Sequence, residues 1–338
     1  MWNKGKDVLR LTGLLLLMAL ATATLTASSC ANKKKHASYP QVAAGPSFNA
    51  DSAYLYCQMQ CDFGYRTVNS DSHERCKEWI AGKFLQYGMT VSMQEAELKG
   101  YDGTKLNATN IIASYRPELS SRILLCAHWD TRPWADNDED SSNWHKPVMG
   151  ANDGASGVAI LIETARLIDA VDTLGIGVDF VCFDAEDYGV PQWSDMIDDN
   201  SWALGSQYWA EKAKENGYSA LFGILLDMVG GTGALFYQEG MSLRYAPRIV
   251  DMVWHASKVA GYRSFFLDYA GGYVTDDHIS INDITGIPTI DIIPFYPDCE
   301  VSSFGPLWHT VDDTMENIDK TTLRAVGQTV IQVLFSQY

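Results

Sequence analysis

Three short runs constrain this chain more than any other feature. Residues 123–126, 178–183 and 222–226 are apolar stretches rich in β-branched and bulky side chains. Runs of this kind form strands buried on both faces, as in parallel sheets covered by helices. His128, the pair Glu186 and Asp187, and Asp227 each lie just past one of them. Open α/β sheets gather ligands outside the carboxyl ends of their strands. Three polar groups arriving there independently mark a candidate site.

The rest of the pattern alternates. Residues 48–62 and 71–87 read as helices, the second with Trp79, Ile80, Phe84 and Leu85 at helical spacing, and strand-like runs follow at 89–97 and 108–115. Residues 155–168 carry Val158, Leu161, Ile162, Ala165 and Leu167 on one helical face. Further helices are expected at 202–214, 245–260 and 315–335, with a strand at 289–293. Strands alternating with helices predict an α/β chain: a three-layer α/β/α sandwich around a mostly parallel, mixed central sheet. Residues 47–338 show no repeat or composition break and form a single catalytic domain. No Gly-x-Gly-x-x-Gly follows a predicted strand and no Gly-x-Ser-x-Gly exists, so a nucleotide fold and a serine hydrolase both lack their fingerprints.

The amino terminus reads as an address. Lys4, Lys6 and Arg10 precede an apolar stretch from Leu11 to about Leu25, then small residues and Cys30. Residues 1–29 are expected to be a signal peptide, and the cysteine after small residues resembles a lipoprotein box, with Ala27 where leucine is usual. Residues 30–46 then form a lipidated tether, which implies an exported, periplasmic protein held at a bacterial membrane only through Cys30. The whole chain carries −17; three positive charges and one negative lie in residues 1–29, so the remainder carries −19. That balance excludes nucleic acid and an anionic membrane surface as partners, and suits substrates with a positive amino terminus. Besides Cys30 there are Cys57, Cys61, Cys76, Cys126, Cys182 and Cys299. Export permits disulfides, and the first three are where one is expected; Cys126 and Cys182 fall in strands and read as buried hydrophobes.

Five segments carry the chemistry: His128-Trp129-Asp130, Gly150 to Asp153, Asp184 to Asp187, Leu226-Asp227 and Trp308-His309-Thr310. Together they read as one scattered zinc site, because zinc takes imidazole nitrogen and carboxylate oxygen and a catalytic zinc keeps one position open. Neighbours such as Glu186 and Asp187 point in different directions, so one can bind metal while the other stays free as a base. Taken alone, Asp153 reads first as the cap of the helix that follows, and only with the other segments does it become a ligand. The run Asp136-x-Asp138-x-Asp140 lacks the glycine of a calcium loop and has Pro147 at its twelfth place, so it reads as a solvated acidic loop.

At these residues the chain, from about residue 50 to its end, resembles the zinc-dependent exopeptidase-like fold of the M28 type, and more closely its glutaminyl cyclase branch in bacterial form. The resemblance implies Asp153, Asp187 and His309 as ligands of one zinc per chain, and Glu186 as the acid/base. Dinuclear aminopeptidases of this fold use two more ligands, which fall on His128 and Asp227. Three features favour the cyclase. Asp276 adds an acid before Asp277-His278, where cyclases form a carboxylate network with the general base and the residue matching Asp227. Trp308 precedes the last ligand, and Trp193 lies where cyclases place a pocket tryptophan. Asp187 departs from the glutamate of animal cyclases. The implied activity is that of a monomeric glutaminyl-peptide cyclotransferase, acting on peptides and proteins with amino-terminal glutamine, with catalytic Glu186, Asp227 and Asp276 and a substrate pocket of Trp193, Trp308 and Phe304. A zinc aminopeptidase is the alternative, and a non-catalytic binding protein is a third class that an intact base and ligand set disfavours.

Replacing Cys30 with alanine is expected to abolish lipid labelling and move the protein from the membrane to the soluble fraction, since no other segment is suited to hold the chain in a bilayer. Metabolic labelling with a fatty-acid analogue checks it, and labelling that persists rejects the anchor.

Overall fold

The computed structural model describes residues 41–336. The proposed signal peptide and Cys30 lie outside that range. No helix among the described residues is long and apolar enough to cross a membrane. In chain order the elements are α1 (Ala50–Asp62), α2 (Asp71–Gln86), β1 (Thr90–Lys99), β2 (Lys105–Tyr115), β3 (Arg122–His128), α3 (Ala155–Val171), β4 (Gly177–Phe183), α4 (Leu204–Glu215), β5 (Gly223–Leu226), β6 (Phe236–Gln238), α5 (Gly240–Tyr245), α6 (Pro247–Val259), β7 (Phe266–Ala270), α7 (Asp277–Ser280), β8 (Thr289–Ile292) and α8 (Lys320–Phe335).

Six strands form the main sheet in the order β1-β2-β4-β3-β5-β8. β4, β3, β5 and β8 are mutually parallel, and β2 joins β4 antiparallel with β1 outside it. Every residue of β3, β4, β5 and β8 is buried, the signature expected of strands covered on both faces. One buried polar pair spans β3 and β4. Arg122 grips Asp179 with Nε at 2.5 Å and Nη2 at 2.6 Å, in a pair that Tyr218 and Ser114 complete. α1, α3, α6 and α8 pack together on one side, while α4 packs against α7 and the turn after it on the other. A separate two-stranded sheet, β6 with β7, lies beside the main one and was not expected from sequence.

Local chemistry sets the helix ends. Asn49, Ser70 and Asp319 cap α1, α2 and α8 with their side chains. The helix expected over 245–260 divides in two, because Pro247 has no N–H to continue α5 and instead opens α6. The one expected over 315–335 likewise divides, into a 3₁₀ turn Met315–Asn317 and α8, where Asp319 accepts from Thr321 N at 2.7 Å. The six described cysteines are free, Cys57, Cys61 and Cys76 each being buried, so the expected disulfide is not there. The last residues of the expected tether lie along α8: Gln332 donates to Val42 O and accepts from Ala44 N, and Gln328 bridges Pro46 and Phe48.

One contact brings α3 onto the sheet. A Cβ at Gly157 would stand 2.2 Å from Leu226 O and 2.8 Å from Ala127 Cβ, so only glycine permits this approach. Gly157→Ala is expected to destabilise the fold by about 1–3 kcal/mol, the usual cost of overpacking. Chemical denaturation reads it directly, and an unshifted midpoint would contradict the packing described.

Candidate active site

The site is built on turns that leave the carboxyl ends of β3, β4 and β5. After β4 the chain bends sharply at Ala185, whose φ is +53°. Asp184 holds that bend: its carboxylate accepts from Ala185 N at 2.8 Å, Thr109 N at 2.6 Å and His73 Nε2 at 2.8 Å. Ala203, Met228 and His309 also take left-handed conformations, at +54°, +49° and +55°. A non-glycine residue there costs on the order of 1 kcal/mol or more and persists where the surroundings enforce it. Strain thus gathers around the predicted ligands.

Asp153, Asp187 and His309 are brought together. All are buried, and one ligating atom from each lies within 4.8 Å of the others. His309 Nε2 stands 3.1 Å from Asp187 Oδ1 and 3.7 Å from Asp153 Oδ2. The cap of α3 is Gly154, with no side-chain bond to the helix, so the Asp153 carboxylate is not spent as an N-cap. Both Asp187 carboxylate oxygens are buried without a hydrogen-bond partner, and burial raises that group's pKa. Two facing carboxylates and an imidazole, desolvated and short of donors, suit a divalent cation such as zinc.

Each of the three is held from behind by a buried aspartate. Asp313 accepts from Asn152 N at 2.8 Å and Asp153 N at 3.0 Å; burial, with the Asp153 charge, pushes it up to about 7. Asp130 accepts from Glu186 N and Asp187 N, both at 3.2 Å. Asp136 lies 3.4 Å from His309 Nδ1 and takes a forked bond from Arg132 at 3.1 and 2.6 Å. Burial opposes ionisation of Asp136, yet the bonds from His309 and Arg132 hold it well below the usual range. The sequence assigned Asp136 to a solvated loop; the structure makes it a buried support for His309, an arrangement typical of imidazoles that bind metal.

Around this core stand the other predicted acids. Glu186, Asp227 and Asp276 all line the same cavity. Burial, reinforced by Asp153 and Asp276, pushes Asp227 up to about 7, and burial raises Glu186 and Asp276 as well. Asp276 caps α7 through one oxygen and leaves Oδ2 unpartnered. His128 Nε2 lies 2.9 Å from Asp153 and 3.3 Å from Asp227, forming a second metal-capable group. A third, Asp276 with His278 and Asp291, was missed. Its signal was present: Asp291 interrupts an otherwise apolar strand between Ile290 and Ile292.

The cavity encloses about 300 Å³, and Trp308 and Phe304 line it as expected. Their rings are 4.8 Å apart, with Trp308 stacked on His309 at 3.7 Å. Trp193 is a correction. It is not among the lining residues; it packs with Trp144 at 6.2 Å, Trp134 at 6.0 Å and His145 at 4.7 Å. Trp202 is the wall on that side, stacked parallel to His309 at 5.9 Å with the Arg132 guanidinium 4.5 Å over its ring. The resemblance pointed to Trp193, but the loop packs that ring against Trp134, Trp144 and His145 before returning at Ala203, whose N–H bonds Glu186 O at 2.9 Å.

Comparison with known proteins places this geometry. The model of Peptidase family M28 matches residues 110–334. A solved glutaminyl cyclase of Bacteroides thetaiotaomicron, bound to N-acetylhistamine, is 51% identical, covers 87% of this chain and 100% of its own, and superposes with a TM-score of 0.85. Among curated proteins, bovine glutaminyl-peptide cyclotransferase is 25% identical over 68% of this chain, and aminopeptidase YwaD of Bacillus subtilis 26% over 76%. The matches span 66% and 50% of those two proteins' own lengths.

The backing carboxylates can be tested apart from turnover. Asp136→Asn weakens the grip on His309, so a divalent metal held by Asp153, Asp187 and His309 is expected to bind about 10–100-fold less tightly. Competition against a chromophoric chelator measures this, and native affinity in the variant would remove Asp136 from the metal's support.

Proposed function

The chain belongs to peptidase family M28, and within it we propose that it is a glutaminyl-peptide cyclotransferase, converting amino-terminal glutamine to pyroglutamate with release of ammonia. The observation that carries the reading is the likeness to the Bacteroides cyclase across nearly the whole described domain, together with Asp276 as an additional carboxylate in the same cavity as Glu186 and Asp227. One zinc per chain fits Asp153, Asp187 and His309, and when bound it supplies Lewis-acid polarisation of the side-chain amide carbonyl.

The chain's own residues do the rest. Glu186 takes a proton from the α-amine as its nitrogen bonds to the side-chain amide carbon. The proton then passes from Glu186 to the departing amide nitrogen, the carbon–nitrogen bond breaks and ammonia leaves. Burial, with Asp187 and Asp276 beside it, raises the affinity of Glu186 for the proton it must carry, and Asp227 completes the cluster of acids on the same cavity. Trp202, Trp308 and Phe304 wall a space that folds the glutamine back on itself and limits water. Positioning supplies much of the rate, because nucleophile and electrophile share one residue.

A zinc aminopeptidase remains the second reading, and the His128, Asp153 and Asp227 group is what favours it. There a water would attack the peptide bond with Glu186 as base, and two metals would be expected. Incubation with a Gln-initiated and a Leu-initiated dipeptide separates the two. Loss of ammonia from the first, with the second untouched, supports the cyclase; a freed amino acid supports the peptidase.

Two variants test the assigned roles. Glu186→Gln keeps shape but removes the proton acceptor, so zinc content should survive while turnover falls by about 100-fold or more. Asp276→Asn should also lower turnover with zinc retained, since it acts through the carboxylates. Full activity in Asp276→Asn would argue for the peptidase.

A further inference from the structure

The acids that line the cavity differ in how their charge is answered. Asp153 and Asp187 face the position that suits the metal, and Asp227 is paired with His128 at 3.3 Å. Asp276 is buried and gives one oxygen to the backbone N–H of Asp277. Asp199 lines the same cavity but is exposed. No lysine or arginine is among the lining residues, and Asp199 enters no ion pair among the described residues.

The turn that carries it is anchored. Asp199 opens the short 3₁₀ turn Asp199–Ser201, capped by Asp198, which accepts from Asn200 N at 3.1 Å. Ser201 Oγ accepts from Val190 N at 3.1 Å, and Gln207 Nε2 donates to Asn200 O at 3.0 Å and to Trp202 O at 2.7 Å. Trp202, next after the turn, is clamped between Arg132 and His309. The backbone that carries Asp199 is therefore anchored beside Trp202 and His309, not swung on a free loop. Tyr273, 79% exposed, lines the same cavity and offers an aromatic face that suits a cationic side chain.

We propose that Asp199 is a specificity-determining residue, selecting peptides whose second residue is basic over peptides whose second residue is acidic. The inference rests on the glutaminyl cyclase reading. When the first side chain occupies the inner cavity and its amine meets Glu186, the peptide must leave through the exposed end. The second side chain is then the first to meet the uncompensated carboxylate. Arginine there gains an ion-pair partner and glutamate meets repulsion; the two effects add in the ratio between them.

The test compares Gln-Arg-Ala-amide, Gln-Ala-Ala-amide and Gln-Glu-Ala-amide by kcat/KM with the zinc-loaded protein. The Arg peptide is expected to exceed the Glu peptide by roughly three- to tenfold at low ionic strength, with Ala between, and the ratio should shrink as salt rises. Asp199→Asn should bring the ratio close to one and Asp199→Lys should invert it. Asp195→Asn, an exposed acid of the same loop outside the cavity lining, should leave it as in the native protein. A native ratio of one, or a ratio unmoved in both Asp199 variants, overturns the inference while leaving the cyclase intact. Absence of pyroglutamate from all three peptides overturns the cyclase reading itself, and the inference with it.

Discussion

Burying negative charge without losing it is the constraint on which this structure turns. At the carboxyl end of the sheet, carboxylates lie closer together than water-free surroundings tolerate unless each finds a donor, a cation or a proton. The chain answers with two tiers. The outer tier, Asp130, Asp136 and Asp313, is spent on backbone N–H groups, an arginine and an imidazole. That leaves the inner tier, Asp153, Asp187 and His309, oriented but short of partners. Orientation is thus settled by the protein before any ligand arrives, which is the condition for strong electrostatic action at a reacting centre.

The same arrangement explains how two chemistries can share one scaffold. His128 stands between Asp153 and Asp227, so its imidazole can serve either as a ligand or as the partner that neutralises those two acids. In the second role it leaves the inner ligand set to a single metal. The acid at position 276 lies on the same cavity as Glu186 and is not one of the three residues grouped around His309.

Much of this was legible in the sequence, and the failures have physical causes. Strands buried on both faces announce themselves as apolar runs, and the positions just beyond them identified His128, Glu186, Asp187 and Asp227. Asp153 was ambiguous because a helix start accepts aspartate for its own sake, and only the glycine at the cap position freed it. Asp136 was misjudged because an acid-rich segment looks solvated along the chain, and its pairing with Arg132 and His309 appears only in the fold. Trp193 and Trp202 show the limit of reading along the chain: a loop of this length can place either ring at the site, and stacking on His309, a contact distant in sequence, decides between them. The thiols at 57, 61 and 76 satisfied a composition rule for disulfides, yet they are buried as small hydrophobes in the helix layer.

The docking of residues 42–48 on α8 has a mechanical meaning. A pull delivered through residue 41 is taken by its own contact with His255 on α6 and by the bonds of residues 42–48 to Gln328 and Gln332 on α8. Both helices belong to the outer layer of the sandwich, so the load enters there before it reaches a strand. Tension at this end of the chain would therefore shear the seam between the two ends of the domain, while the turns that carry Asp153, Asp187 and His309, held by Asp313, Asp130 and Asp136, lie off the line of force.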